Sequence, residues 1–196
     1  MILTVGGNIG CGKSTLLETL RKNGKEVVPE AVEKWGSWLD LFYSDMKRFG
    51  FGFQMKVLFD FIDAPPPGAI TERSPLDALH IFAKTLFQTE TLSHMEYNLF
   101  SDYVHKIGWK PDYYIYLRAD PEVCFERIHI RSRDAENGVT LEYIKTVHEM
   151  YEKFIHILED LGITVFTVDA NQTPECVQDA VDRILYSVFN LFVLHL

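Results

Sequence analysis

Cysteine, positive charge and long apolar runs are all scarce in this sequence. Its three cysteines, Cys11, Cys124 and Cys176, are too few and too far apart for a disulfide framework or a zinc site, which favours a reducing compartment. The 19 Lys and Arg residues against 28 Asp and Glu give a formal charge of −9, which argues against sequence-independent binding to nucleic acid. The longest uncharged run, residues 184–196, is too short to span a bilayer, and no signal peptide is visible. We therefore expect a cytoplasmic protein that binds neither nucleic acid nor membranes, with a buried C-terminal helix.

Short apolar runs of strand length alternate with longer amphipathic stretches. The strand candidates are rich in β-branched and aromatic residues and lie at 2–6, 26–29, 69–71, 113–117 and 164–169. Residues 141–161 show the clearest helical pattern, with apolar positions three and four apart. This alternation predicts one α/β domain over residues 1–196, with a five-stranded parallel sheet flanked by helices. Ligands of such sheets bind at the carboxyl ends of the strands.

The segment GGNIGCGKST follows the first predicted strand and opens a helical pattern. Within it Gly7, Gly12, Lys13 and Ser14 satisfy the pattern G-x-x-x-x-G-K-[ST]. The glycines let backbone amides surround a phosphate, the lysine reaches the terminal phosphates, and the serine hydroxyl is a ligand for Mg²⁺. The sequence therefore predicts a phosphate-binding loop. ATPases, GTPases and small-molecule kinases share this loop, so the acceptor has to be inferred from the other strand ends.

Charged residues follow the other predicted strands. They are Glu30 after the second strand, Glu72 and Arg73 after the third, and Arg127, Arg131 and Arg133 in the helix after the fourth. Phosphoryl transfer needs a carboxylate for the acceptor, a metal, and cations for the transferred charge. Each feature also has a plainer explanation, namely a solvated strand-end acid, a weak surface ion pair, or an exposed helix face balanced by acids. Their coincidence with the phosphate loop favours phosphoryl transfer.

Several segments together resemble the deoxyribonucleoside kinase family, over most of the chain. The similar segments are GNIGCGKST, PEAVEKW, FQMKV, ERSPLDALHIF, YIYLRADPEVCFERIHIRSRDAENG and VDANQ. The resemblance implies a P-loop kinase fold with an arginine-bearing lid at about residues 127–139. It also implies Mg²⁺- and ATP-dependent phosphorylation of the 5′-hydroxyl of a deoxynucleoside in nucleotide salvage. Family members of this kind are dimers through the helices that flank the third-strand motif, so we expect a homodimer.

The resemblance assigns roles to residues at matching positions. Glu30 matches the general base for the 5′-hydroxyl, and Arg73 matches the arginine that holds this hydroxyl and keeps Glu30 ionised. Lys13 acts on the phosphates, while Ser14 and Glu72 match the metal side of the site. The implied ATP-binding residues are Gly7, Asn8, Ile9, Gly10, Cys11, Gly12, Lys13, Ser14, Thr15, Arg127, Arg131, Arg133 and Asp169. The implied nucleoside-binding residues are Glu30, Trp35, Tyr43, Gln54, Val57, Phe61, Arg73, Ala78, Phe82 and Glu136.

Within the implied nucleoside site, Gln54 matches the amide that pairs with the base. Phe82 matches the ring that stacks on the base, with Trp35 as the opposite wall. Tyr43 and Glu136 match the pair that binds the 3′-hydroxyl. For the three aromatic residues, ordinary core packing is the alternative.

Two positions bear on the choice of nucleoside. Family members that favour cytidine and purine deoxynucleosides have an arginine–aspartate pair near the base, where this chain has Phe61 and Ala78. This apolar pair, with Val57 on the same side, is similar to the thymidine-accepting, insect- and mitochondrial-like branch. Asp77 departs from the family pattern and is expected to bring a carboxylate near the base. The compact chain suggests a viral member of the family.

Two other functions remain open from the sequence. A nucleoside monophosphate kinase such as thymidylate kinase would need cations for the acceptor's phosphate near the end of the second strand, where this chain has Glu30. A non-catalytic, nucleotide-gated regulatory subunit would have no need of the set Lys13, Ser14, Glu30 and Arg73.

Overall fold

A five-stranded parallel sheet forms the centre of the chain, as the sequence predicts. The computed structural model describes residues 1–132, 136 and 138–193. The strands are β1 (Leu3–Gly7), β2 (Val27–Val28), β3 (Ile70–Glu72), β4 (Tyr113–Arg118) and β5 (Thr164–Asp169). Their order in the sheet is β2-β3-β1-β4-β5, and all four pairings are parallel. The predicted strands are confirmed to within two residues at each end.

β1 is the central strand, with β3 on one side and β4 on the other. Its sequence LTVGG is buried at every position, as expected for a strand covered on both faces. The chain builds β2 and β3 on one side of β1, then β4 and β5 on the other. At such a reversal the carboxyl ends of the strands open into a crevice, which is where ligands bind in this class of sheet.

Helices cover both faces of the sheet. They are α1 (Lys13–Lys22), α2 (Val32–Trp35), α3 (Ser37–Ser44), α4 (Met46–Asp60), α5 (Pro75–Asp77), α6 (Lys84–Gln88), α7 (His94–Ile107), α8 (Pro121–Arg131), α9 (Leu141–Asp160) and α10 (Pro174–Val193). A π-helical segment, Ala78–Ala83, joins α5 to α6. The predicted helix at 141–161 is confirmed as α9, and the predicted C-terminal helix is confirmed as α10 as far as residue 193. No helix in the described part of the chain is long and apolar enough to cross a membrane.

Side chains along β4 point alternately to the two faces of the sheet and contribute to a separate hydrophobic core on each face. Ile115 and Leu117 pack in a cluster with β1, α1, α8 and α10, whereas Tyr114 and Tyr116 pack against α9 on the other face. Successive side chains of a strand point to opposite faces, so these four residues anchor both helical layers. A third cluster joins α3, α4, α7 and the π-helical segment beside the carboxyl edge of β3.

Candidate active site

A cavity of about 500 Å³ opens at the carboxyl edge of the sheet. It runs from the loop after β1, past the ends of β2 and β3, to a group of aromatic side chains from α2, α3 and α4. Of the residues proposed from the sequence, those that line it are Ile9, Gly10, Cys11, Gly12, Lys13, Ser14, Thr15, Glu30, Trp35, Tyr43, Gln54, Val57, Glu72, Arg73, Phe82, Arg127, Arg131 and Glu136. The topology thus brings most of the predicted site to one place.

The loop between β1 and α1 forms one end of the cavity. Gly10 and Gly12 have φ angles of 81° and 105°, which favour glycine. A Cβ atom on Gly10 would lie 2.4 Å from the carbonyl oxygen of Cys124, so the loop can pass α8 only without a side chain there. The Lys13 ammonium donates hydrogen bonds to the carbonyl oxygens of Gly7 (3.0 Å) and Asn8 (2.8 Å). Gly7 and Asn8 therefore lie behind the loop surface, where they hold Lys13, and do not line the cavity.

Ser14 and Glu72 form an oxygen-rich corner beside this loop. The Ser14 hydroxyl donates a hydrogen bond to Oε1 of Glu72 at 3.2 Å, and Oε2 of Glu72 accepts one from the Glu30 amide at 3.4 Å. Hydroxyl and carboxylate oxygens suit Mg²⁺, which keeps several waters and is usually bound together with phosphate oxygens. Within the described residues no group of three or more His, Cys, Asp and Glu side chains could hold a metal ion alone. The corner therefore fits Mg²⁺ that arrives with a phosphate ligand.

Glu30 and Arg73 form a buried ion pair in the cavity wall, with each side chain only 7% exposed. The residue Arg73 has a φ of 62°, which is uncommon for a side-chain-bearing residue, and its amide donates to the carbonyl oxygen of Val5 at 3.0 Å. Its guanidinium also lies 4.7 Å from the centre of the Phe82 ring. Strained backbone of this kind persists only where its surroundings hold it. The pair is thus a fixed feature at the end of β3.

Burial raises the pKa of Glu30 above its ordinary value, and the Glu72 carboxylate adds to this shift. The charge of Arg73 acts in the opposite direction, as the sequence predicts, but the loss of water outweighs it. The role that the resemblance gives to Arg73, keeping Glu30 ionised, is therefore opposed by burial. A carboxylate with a raised pKa is a stronger proton acceptor once it is ionised.

Aromatic side chains enclose the far end of the cavity. The ring of Phe53 contacts Trp35 edge-on at 5.3 Å and stacks on Phe42 at 4.8 Å. Trp35 is held by a hydrogen bond from its indole nitrogen to Asp60 at 2.8 Å. Sequence reasoning missed Phe42 and Phe53, because no local signal distinguishes these two among the 14 phenylalanines of the sequence. Tyr143, Val177 and Gln178 also line the cavity without having been predicted.

Gln54 lies among these rings and is only 3% exposed. Its Oε1 atom has no hydrogen-bond partner among the described residues. A buried amide oxygen without a partner costs about 1–3 kcal/mol. This orphaned acceptor in the cavity wall indicates a ligand with polar edges.

The end of α8 carries the predicted lid. Arg127 donates to the carbonyl oxygen of Ala170 at 2.8 Å, and Arg131 donates to Glu136 at 2.6 Å. Glu136 and Tyr43 both line the cavity, and burial raises the pKa of Tyr43. Part of the predicted lid, residues 133–135 and 137, lies outside the described residues, and Arg133 is among them.

Besides Gly7 and Asn8, three further predicted residues in the described part of the chain do not line the cavity. Phe61 follows α4 and faces Trp109, with the ring centres 6.3 Å apart, beside a smaller cavity of about 60 Å³. Ala78 is buried in the core formed with α4 and α7. Asp169 is exposed and closes a turn, accepting hydrogen bonds from the Asn171 amide and the Gln172 side chain.

The prediction that Asp77 brings a carboxylate near the base was wrong. Asp77 is fully buried on the α9 side of the sheet, where it accepts hydrogen bonds from Ser74 at the start of α5 and from two tyrosines. As the third residue of a short helix, it forms a capping box with Ser74, which turns its carboxylate away from the cavity.

Comparisons with known proteins agree with this geometry. The family model described as deoxynucleoside kinase matches residues 3–193. The chain is 32% identical over 201 residues to the thymidine kinase of Ictalurid herpesvirus 1, covering 94% of this chain and 86% of that protein. It is 30% identical over 193 residues to the deoxycytidine kinase of Rattus norvegicus, covering 78% and 74%. Its fold is similar to a solved deoxyadenosine kinase from M. mycoides, with a TM-score of 0.86, 26% identity, and coverage of 96% and 100%. The chain therefore belongs to the deoxynucleoside kinase family and is a phosphotransferase.

Proposed function

We propose that the protein transfers the γ-phosphoryl group of Mg·ATP to the 5′-hydroxyl of deoxyribonucleosides, with thymidine and other pyrimidines favoured. The observation that carries this proposal is the buried Glu30–Arg73 pair between the phosphate loop and the aromatic end of the cavity. A carboxylate at that point suits a neutral hydroxyl, which it can deprotonate, better than an acceptor that is already phosphorylated. We further propose a role in cytoplasmic nucleotide salvage.

The proposed reaction assigns a task to each charged group. When bound, Mg·ATP supplies the phosphoryl group and a cation that screens its charge. Ser14 and Glu72 would hold the cation, while Lys13 and the loop amides would bind the phosphates. Arg73 orients the 5′-hydroxyl, and Glu30 accepts its proton as the oxygen bonds to the γ-phosphorus and the bond from that phosphorus to the leaving ADP breaks.

The arginines at the end of α8 are proposed to stabilise the phosphoryl group during its transfer. Arg127 and Arg131 line the cavity and are proposed to neutralise the charge that moves toward the leaving group. Arg133 is proposed to join them by its sequence position alone. Together they would form a lid that excludes water from the site during transfer.

The aromatic end of the cavity is the proposed nucleoside pocket. Gln54 would pair with the base through its carboxamide, which is both donor and acceptor. Phe82 and Trp35 would enclose the base, and Tyr43 with Glu136 would bind the 3′-hydroxyl. All five line the cavity.

The preference among bases rests on fewer observations. Val57 lines the cavity, whereas Phe61 and Ala78 lie behind its wall, so their effect on the base would be indirect. Relatives are named thymidine kinase and deoxycytidine kinase, and the M. mycoides enzyme was solved with the product dCMP. The first two names support pyrimidines, whereas the third protein is named for a purine nucleoside although its bound product is a pyrimidine nucleotide.

A panel of nucleosides tests the preference. Steady-state kcat/KM is measured for thymidine, deoxycytidine, deoxyadenosine and deoxyguanosine under the same Mg·ATP concentration. We expect both pyrimidines to exceed both purines. A clear purine preference would contradict the proposal on the base while leaving the phosphoryl transfer intact.

We also propose a homodimer. Met95, Leu99 and Tyr103 lie four residues apart on α7 and are 81%, 46% and 42% exposed, and Phe59 on the neighbouring α4 is 62% exposed. Such an apolar stripe on two adjacent helices is typical of a protein–protein interface. Light scattering is expected to give twice the chain mass, and a monomeric mass at micromolar concentration would refute the dimer.

A further inference from the structure

A chain of buried hydrogen bonds lies behind the Glu30–Arg73 pair, on the side away from the cavity. At its far end, Oδ2 of Asp77 accepts hydrogen bonds from the amide (2.9 Å) and hydroxyl (2.7 Å) of Ser74. Oδ1 of Asp77 accepts from the hydroxyl of Tyr114 and, at 3.3 Å, from the hydroxyl of Tyr151. Asp77 and both tyrosines have less than 1% exposure. The carboxylate is therefore held by four donors in the protein interior.

Tyr151 links this carboxylate to the active site. Its oxygen accepts a hydrogen bond from Nε of Arg73 at 3.4 Å. A guanidinium can only donate, so the Tyr151 oxygen must be the acceptor, and its own proton is then directed to Asp77. The order of donors is thus fixed from Arg73 through Tyr151 to Asp77, and hydrogen bonds in such a chain strengthen one another.

Strand β1 leaves space for this series of hydrogen bonds at Gly6. A Cβ atom on Gly6 would lie 1.6 Å from the hydroxyl oxygen of Tyr114, which crosses the face of β1 to reach Asp77. No larger residue fits at that position while Tyr114 keeps its bond. The sequence of β1 is therefore compatible with the hydrogen-bonded chain only because of this glycine.

We propose that Tyr151, held by Asp77, is a positioning residue for Arg73. The inference rests on the proposed function of Arg73 as the group that orients the 5′-hydroxyl. The Arg73 backbone has an uncommon conformation, and its guanidinium contacts Glu30 on one edge and Phe82 on one face. Tyr151 contacts Nε, so two nitrogens and one face of the guanidinium are held, which restricts its rotation. Such control matters because a misplacement of about 1 Å in an active site can cost a factor of about 100 in rate.

The test compares two tyrosines that stack on each other. Tyr151→Phe removes only the hydroxyl that contacts Arg73. Tyr116→Phe is the matched control, because Tyr116 stacks on Tyr151 at 5.6 Å and its hydroxyl bonds to Glu152 at 2.8 Å, outside the cavity. For Tyr151→Phe we expect kcat to fall about tenfold, with KM for ATP changed less than twofold. The control is expected to keep both values within twofold of the unmodified protein, and equal losses in both variants would overturn the proposal.

A double-mutant cycle separates positioning from a general effect on the core. Arg73→Lys removes the Nε–H donor, so in that background Tyr151→Phe is expected to change kcat less than twofold. If the two losses multiply instead, Tyr151 does not act through Arg73, and the proposal is wrong. Free energies of unfolding from urea titrations of all variants establish that the kinetics are measured on folded protein.

A spectroscopic readout needs no catalysis. The Nε–H resonance of Arg73 is assigned in NMR spectra by its loss in Arg73→Lys. We expect its exchange with solvent to be at least about tenfold faster in Tyr151→Phe and unchanged in Tyr116→Phe, since only the first removes its acceptor. Unchanged exchange in Tyr151→Phe would overturn the proposal. If the unmodified protein phosphorylates no deoxynucleoside, the proposed function fails, while this measurement still decides the contact.

Discussion

Replacing Glu30 by glutamine removes the proton-accepting carboxylate while nearly keeping its shape. Proton transfer by a positioned side chain contributes a factor of about 10²–10⁴ to the rate. We therefore expect kcat for deoxynucleoside phosphorylation to fall at least about a hundredfold. Nucleoside binding, measured by calorimetry without ATP, is expected to persist, because the polar contacts to the base come from other residues.

The same substitution has a cost in stability that must be measured beside the kinetics. Removing one partner of a buried ion pair costs about 3–5 kcal/mol. Two features reduce this value here, since the glutamine oxygen still accepts a hydrogen bond from Arg73, and the Glu72 carboxylate also acts on Arg73. We expect the free energy of unfolding in urea to fall by about 1–3 kcal/mol. Assays are run at a temperature where the variant is fully folded.

Glu33→Gln is the matched control for this prediction. Glu33 lies three residues further on in α2 and is exposed. We expect its substitution to change kcat and the free energy of unfolding little, because exposed acids contribute about 0–1 kcal/mol. A kcat within threefold of the unmodified protein for Glu30→Gln, or equal losses at both positions, would refute the assignment of Glu30 as the base.

Further predictions concern the core and the thiols. Gly6→Ala is expected to lower the free energy of unfolding by about 3 kcal/mol or more, because the new Cβ would meet the Tyr114 hydroxyl; a change below about 1 kcal/mol in urea titrations would contradict this. Burial lowers the pKa of His80 from 6.5 to about 4. The unfolded chain therefore binds the proton first as pH falls, and stability at pH 5 is expected to be about 1–2 kcal/mol below that at pH 7.5. A His80→Gln variant should lose this difference, and an unaltered pH dependence would contradict the assignment to His80. Exposed Cys176 is expected to react with iodoacetamide at pH 8, whereas Cys124 reacts only after unfolding, since burial raises its pKa to about 12; mass spectrometry of the labelled peptides would reveal the opposite order.

The sheet and the phosphate loop were predictable from the sequence because their signals are local. Apolar runs between helical patterns predict parallel strands, and the spacing of glycines before Lys13 predicts a loop whose backbone binds phosphate. The short β2 shows the limit of this approach. Only Val27 and Val28 are in the strand, although the predicted run is four residues long, because β2 lies at the sheet edge and pairs with β3 alone.

Side-chain directions were the part that the sequence could not supply. Position along the chain put Phe61, Ala78 and Asp77 near the base, but the start of α5 and the end of α4 turn all three side chains away from the cavity. The positive φ of Arg73 has no sequence signature. The hydrogen bond between its guanidinium and Tyr151 joins residues that are 78 positions apart. No local pattern announces such a contact.

The most direct test of the proposed reaction measures ADP formation from ATP and Mg²⁺ with three acceptor conditions. These are thymidine, thymidine monophosphate, and no acceptor. When thymidine is the acceptor, we predict that one ADP forms for each thymidine monophosphate produced. In the other two conditions we predict only background ADP. ADP formed with thymidine monophosphate would indicate a nucleoside monophosphate kinase. If thymidine gives no ADP above background, the same assay is run with deoxycytidine, deoxyadenosine and deoxyguanosine. No ADP above background with any of the four deoxynucleosides would contradict catalysis by Glu30 and Arg73.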